Sequence, residues 1–177
     1  MNIRKANESD LRAIQQIHLR AFGQPEGKTI VQMVADMAAD ATARPVLSLL
    51  AEDQHQIVGS VLFTPVQIEH AEPGLAASIL APLAVLPSHQ KRGVGTALIQ
   101  TGLDMLRNDG VDIVFVYGDP NYYSRTGFEP SLPHELHPPH AIDYPQGWMV
   151  QALCPNAISK ARGVVTCCTS LSNPEHW

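Results

Sequence analysis

Cysteine is scarce in this chain, and Cys154, Cys167 and Cys168 form no Cys-x-x-Cys pair. Adjacent cysteines seldom bond to each other, because the disulfide geometry would be strained. The sequence therefore argues against a disulfide framework and against a zinc site. We expect reduced thiols in a cytoplasmic protein.

Long apolar runs and basic charge are also lacking. No run is long enough to span a membrane, and no apolar signal-peptide core follows Met1, so we expect neither a membrane segment nor a leader. The 12 lysines and arginines against 17 aspartates and glutamates leave a formal net charge of −5. A general nucleic-acid binder would carry a basic face. The charge argues against that class and slightly favours a cationic or neutral partner over an acidic one.

The chain does have an ordinary apolar fraction of 45% in 177 residues, enough for a single domain over residues 1–177. Strand-like apolar runs and runs with helical spacing follow one another along it, and we expect an α/β fold. Ser9 or Asp10 is the predicted cap of the first helix, and the proline-rich residues 130–145 are predicted to be loop. The predicted helices are 11–21, 28–39, 96–108 and 121–126; the predicted strands are 2–5, 47–52, 56–65 (continuing or bending over 66–70), 79–86, 111–117, 148–153 and 164–169.

The most informative segment is 90–98, Gln-Lys-Arg-Gly-Val-Gly-Thr-Ala-Leu, which follows an apolar strand and opens a helix. Such a turn directs backbone N–H groups at one point, and the helix N-terminus adds partial positive charge. Gly93 and Gly95 allow the backbone to turn and to approach an anion closely. Lys91 and Arg92 add formal positive charge beside this turn. The segment predicts a phosphate cradle; the alternative is a βα turn without a ligand.

This segment resembles the acetyl-CoA signature of the GNAT acetyltransferases, Gln/Arg-x-x-Gly-x-Gly/Ala, at Gln90, Gly93 and Gly95. Leu83-Ala84-Val85 lies upstream, where the family has the strand that binds the pantetheine arm. Downstream, residues 122–128, Tyr-Tyr-Ser-Arg-Thr-Gly-Phe, resemble the family's Tyr-x-x-x-Gly-Phe segment. The resemblance covers about residues 1–130, and the tail is more loosely similar to the YhbS-like subgroup.

The resemblance implies a GNAT fold, a central mixed sheet split by the cofactor and flanked by helices on both faces. It implies acetyl-CoA as co-substrate and no metal. Tyr123 matches the family's proton donor to the departing thiolate, with Tyr122 as the alternative. Asn121 either contacts the pantetheine arm or caps a helix. The implied cofactor-binding residues are Leu83, Ala84, Val85, Gln90, Lys91, Arg92, Gly93, Val94, Gly95, Thr96 and Asn121.

The general base has no firm candidate in the sequence. Many family members carry a carboxylate on the central strand, but residues 78–85 here contain none. Glu69, His70 and Glu72 either act through water or are solvated surface groups. The His134, His137 and His140 series has the spacing of metal ligands on a helix, but the intervening prolines forbid a regular helix.

The sequence is therefore compatible with two functions. The first is acetyl transfer from acetyl-CoA to an amine by direct attack in a ternary complex, since no cysteine lies in the motif region to form an acyl-enzyme. The second is a non-catalytic acyl-CoA-binding module that has lost its base. The acceptor would be an amine-bearing small molecule or a protein amino group, with no nucleic acid or membrane partner. A homodimer is one option for the assembly.

Overall fold

A nine-stranded mixed sheet forms the centre of the molecule in the computed structural model, which describes residues 1–177. The strands are β1 Asn2–Lys5, β2 Leu47–Asp53, β3 Gln56–Ala71, β4 Ala77–Val85, β5 Ile113–Tyr117, β6 Glu129–Pro130, β7 Leu136–His137, β8 Trp148–Ala152 and β9 Ala161–Thr166. Seven of them follow the order β1-β2-β3-β4-β5-β8-β6, while β9 pairs with both β3 and β7. The β4–β5 and β7–β9 pairs are parallel and the others antiparallel.

Helices cover both faces of this sheet: α1 (Leu11–Phe22), α2 (Glu26–Ala39), α3 (Val94–Asn108) and α4 (Pro120–Tyr123). Successive strand residues point to opposite faces. Leu50, Leu62 and Ile79 accordingly pack with Met33 and Val34 of α2 in one buried cluster. Their neighbours Leu49, Phe63 and Leu80 pack with Leu98 and Leu103 of α3 in the other. None of the helices is both long and apolar enough to cross a membrane.

Three sequence-based boundaries are corrected by the structure. Asp10 occupies the N-cap position of α1, but its side chain makes no capping bond to that helix. The capping bonds lie one turn earlier, at a 3-10 turn that Asn7 caps: the Asn7 side chain accepts from the Ser9 N–H at 2.9 Å, and the Asp10 carboxylate accepts from the Asn7 N–H at 2.9 Å. Residues 130–145 are not wholly loop, because β7 lies within them. The last strand starts at Ala161 and continues through Gly163, whose φ of +99° a glycine tolerates without strain.

Strand β4 is paired on both sides only at its beginning. Ala77–Leu80 pairs with β5 as well as with β3, whereas residues 83–85 pair only with β3. Opposite Leu62 of β3, the two residues Ala81 and Pro82 lie between paired positions, so β4 bulges at the point where β5 separates from it. The sheet therefore opens between the ends of these two parallel strands.

We expect Gly102→Ala to lower the free energy of unfolding by about 1–3 kcal/mol, because the added Cβ would clash with the Phe63 ring between α3 and β3. The higher helix propensity of alanine, about 1 kcal/mol, offsets only part of this loss of stability. Urea denaturation would measure it, with the exposed Gln100→Ala on the same helix as control. Equal midpoints for both variants would contradict tight packing of α3 on the sheet.

Candidate active site

A groove of about 660 Å³ lies where the sheet opens, between the end of β4 and the start of α4. The N-terminus of α3 forms its floor at one end. Side chains from three successive parts of the chain therefore meet along one cleft. The lining residues are Leu83, Val85, His89, Gln90, Lys91, Gly93, Val94, Gly95, Thr96, Asp119, Asn121, Tyr122 and Arg125.

The turn into α3 exposes backbone N–H groups of the kind that bind anions. Gly93 caps the helix with a φ of +81°, a conformation that glycine adopts readily. No side chain caps this helix, so the first N–H groups, from Val94 to Thr96, have no acceptor within it. The hydroxyl of Tyr122 lies over Gly95, in the space that a Cβ would occupy. A side chain at position 95 would therefore displace Tyr122.

The open edge of β4 presents backbone groups to the groove. The Leu86 N–H donates to Val58 O at 2.8 Å, and hydrogen-bonding direction alternates along an antiparallel strand. Leu83 and Val85 therefore direct their N–H and C=O groups away from β3, towards the groove. The Val85 carbonyl accepts from Gln90 Nε2 at 3.1 Å, which ties the cradle turn to this edge.

A second cavity, of about 490 Å³, adjoins the groove and shares Leu83 and Asp119 with it. Helices α1 and α2 form one wall, and the Trp177 ring closes another by packing on Trp148, with its indole N–H donating to Leu171 O at 2.8 Å. The cavity contains no lysine or arginine. Its polar and aromatic lining consists of Phe22, Glu26, Thr29, Tyr117, Asp119, Tyr123, Glu175, His176 and Trp177.

The two adjacent tyrosines face different spaces. Tyr122 lines the groove, and Tyr123 lines the second cavity. The Tyr123 ring lies against Gly118 and meets Tyr122 edge-on, at 5.1 Å between centroids. Burial raises the pKa of the Tyr123 hydroxyl well above its ordinary value, and Tyr122 adds to this. The phenol consequently keeps its proton at neutral pH and can donate it.

Most residues that the sequence singled out for cofactor binding meet along the groove, but two do not. The Ala84 side chain is 2% exposed and lies in the core beneath β4, and Arg92 is exposed to solvent beside the turn. Asn121 lines the groove, and it does not cap α4: Asp119 does, by accepting from the Asn121 N–H at 2.9 Å. The cap interpretation of Asn121 is therefore wrong.

The sequence's candidates for a base lie away from both spaces. Glu69, His70 and Glu72 belong to the end of β3 that runs along β9 and the turn after it, and Glu69 accepts from the Val164 N–H at 3.1 Å. His18 is fully buried without a hydrogen-bond partner, and burial lowers its pKa to about 4, yet it lines neither space. His140 contacts the Ser172 carbonyl at 2.8 Å, whereas His134 lies 3.0 Å from the Glu129 carboxylate.

Three lining residues were missed by the sequence reasoning: His89, Asp119 and Arg125. Arg125 belongs to the Tyr-x-x-x-Gly-Phe segment, and the turn after α4 directs it at the groove. Asp119 carried a usable signal, because an aspartate directly before Pro120 is typical of a helix N-cap. That position follows β5, so the cap necessarily falls where the sheet opens.

Comparison with known proteins agrees with this geometry. Residues 2–131 match the family model of the acetyltransferase (GNAT) domain. The chain is 40% identical over 150 residues to the uncharacterised N-acetyltransferase YjhQ of Escherichia coli K12, covering 83% of this chain and 81% of that one. It is 34% identical over 137 residues to the uncharacterised N-acetyltransferase YhbS of the same strain, with 77% and 78% covered.

Solved structures show the same likeness. The complex of Escherichia coli YhbS with CoA superimposes with a TM-score of 0.87, at 28% identity, over 98% of this chain and 92% of that one. A GNAT family acetyltransferase from Brucella melitensis with acetyl-CoA has a TM-score of 0.74 at 30% identity, with 96% and 97% covered. Fold and site thus define an acyl-CoA-dependent acyltransferase. The chain belongs to the GNAT acetyltransferase family.

We expect Gly95→Val to weaken acetyl-CoA binding by about tenfold or more, or about 1.4 kcal/mol, because the side chain would fill the cradle and displace Tyr122. Gly93→Val should also weaken it, through backbone strain at the positive φ. Lys91→Ala should weaken binding less than either glycine variant, since it removes only one exposed charge. Calorimetry would measure the three affinities; glycine variants that bind like the wild type would place the cradle elsewhere.

Proposed function

We propose that acetyl-CoA lies in the groove, with its pantetheine arm along the open edge of β4 and its pyrophosphate on the cradle at residues 90–96. One observation carries this proposal: the unpaired edge of β4 runs from the second cavity to the uncapped N-terminus of α3. The N–H groups of Leu83 and Val85 and the carbonyl of Leu83 can then pair with the amides of the arm. Lys91 and Arg125 add positive charge beside the phosphates.

The second cavity is the proposed site of the amine acceptor, and we call it the acceptor cavity. It meets the groove at Leu83 and Asp119, so an amine there can reach a thioester whose arm follows β4. The reaction we propose is direct attack of the amine on the acetyl carbonyl within a ternary complex. Cys154, Cys167 and Cys168 line neither space, which leaves no thiol to carry an acetyl intermediate.

Tyr123 is the proposed proton donor to the CoA thiolate. It lines the acceptor cavity beside the shared residues, and burial keeps its hydroxyl protonated. Tyr122 is placed differently, because its hydroxyl lies over Gly95 and interacts with Thr96 at the cradle. We therefore assign Tyr122 to cofactor contact and Tyr123 to the chemistry.

A non-catalytic acyl-CoA-binding module is the second candidate, favoured by one observation. Where β4 leaves β5, it carries Ala81 and Pro82 and no carboxylate. A survey of amines with thiol release as the readout separates the two functions. Turnover of any amine establishes the transferase, whereas tight acetyl-CoA binding without turnover across the survey would favour the module.

We expect Tyr123→Phe to lower kcat by about 10²–10⁴-fold, the usual worth of general acid catalysis. The ring and its packing remain, so the affinity for acetyl-CoA should be unchanged. Steady-state thiol release would measure kcat, and Tyr144→Phe, an exposed tyrosine outside both spaces, is the matched control. A loss below about threefold, together with a larger loss for Tyr122→Phe, would move the role to Tyr122.

A further inference from the structure

Direct attack requires a group that removes a proton from the amine, which is mostly charged at neutral pH. Three carboxylates line the acceptor cavity: Glu26, Asp119 and Glu175. Only Asp119 also lines the cofactor groove. It therefore stands where the two reactants have to meet, whereas Glu26 and Glu175 border the acceptor alone.

The Asp119 side chain is held in place by the turn that it caps. Oδ1 accepts from the Asn121 N–H at 2.9 Å, and Oδ2 has no hydrogen-bond partner in the chain. The Asp119 carbonyl accepts from the N–H groups of Tyr122 and Tyr123, both at 3.0 Å. One carboxylate oxygen of Asp119 is thus free, and it lies on the same short helical turn as Tyr123, the proposed proton donor.

Charges around Asp119 differ in sign on its two sides. On the groove side the lining holds the basic Lys91, Arg125 and His89, with the phenol of Tyr122. On the cavity side it holds Glu26, Glu175 and His176, with the phenols of Tyr117 and Tyr123 and no lysine or arginine. The carboxylates of the cavity therefore attract an ammonium group as far as Asp119, and the basic residues of the groove repel it beyond that point. This places the amine beside the thioester.

We propose that Asp119 is the general base of the transfer, an inference that rests on the proposed function. Its free oxygen takes one proton from the ammonium, directly or through one water, and the neutral amine attacks the acetyl carbonyl. The tetrahedral intermediate collapses as the C–S bond breaks and the thiolate takes a proton from Tyr123. The amide nitrogen loses its second proton to restore the phenol. Asp119 then releases its proton to solvent, so one amide, one thiol and one proton are formed.

Asp119→Asn tests this assignment, because asparagine is an equally good N-cap and preserves the turn. We expect kcat at saturating acetyl-CoA to fall by about 100-fold or more at pH 7. The variant should also respond more steeply to pH, with log kcat/KM rising about one unit per pH unit towards the amine's pKa, since it can use only amine that is already neutral. Asp109→Asn, an exposed aspartate at the far end of α3, is the control.

The outcomes distinguish this inference from the proposed function. A 100-fold loss of kcat with retained acetyl-CoA affinity and a steeper pH profile supports Asp119 as the base. A kcat within about threefold of wild type, a loss confined to KM, or a pH profile parallel to that of wild type overturns it and leaves the transferase in place. If the wild-type protein acetylates no amine, the proposed function fails and this assignment falls with it.

Discussion

The site depends on one feature of strand pairing: β4 is bonded to β5 over residues 77–80 and then loses that partner. Chain direction explains why. Strand β5 ends at Tyr117, and the following Gly118, Asp119 and Pro120 turn into α4 instead of continuing the ladder. The backbone groups thereby left unpaired on β4 need other partners. The pantetheine arm of the co-substrate is the partner we propose. The groove and the acceptor cavity both lie at this opening, and Tyr123 lines the acceptor cavity.

Much of this could be predicted from the sequence because it is local. The glycines of the cradle and the helix after them are adjacent in the sequence. The Tyr-x-x-x-Gly-Phe segment follows them in the order and at the spacing typical of the family. The long strand β3 was expected to continue or bend after Pro65. It does continue, to Ala71, and changes partners from β2 and β4 to β9. Local patterns predict such elements well, since backbone pairing and side-chain alternation act over a few residues.

What the sequence did not predict depends on contacts distant along the chain. Glu26 and Glu175 come together in one cavity only when α2 and the C-terminal segment pack against the sheet. Ala84 and Val85 are neighbours in the motif, but strand alternation places one in the core and the other along the groove. Because β4 carries no carboxylate, the sequence offered candidates for the base on the adjacent strand β3 and the turn after it, whereas Asp119 lies on the opposite side of the opening, where β5 ends.

A crystal structure with acetyl-CoA, or with CoA joined covalently to an amine through its acetyl carbon, would show directly whether the opening between β4 and β5 holds the co-substrate. We expect the arm along the edge of Leu83 and Val85, the pyrophosphate at the N–H groups of residues 93–96, and the sulfur within hydrogen-bond distance of the Tyr123 hydroxyl. The linked amine should lie beside Asp119. Density for the sulfur beside Tyr122, or for the arm anywhere other than the opening between β4 and β5, would contradict it.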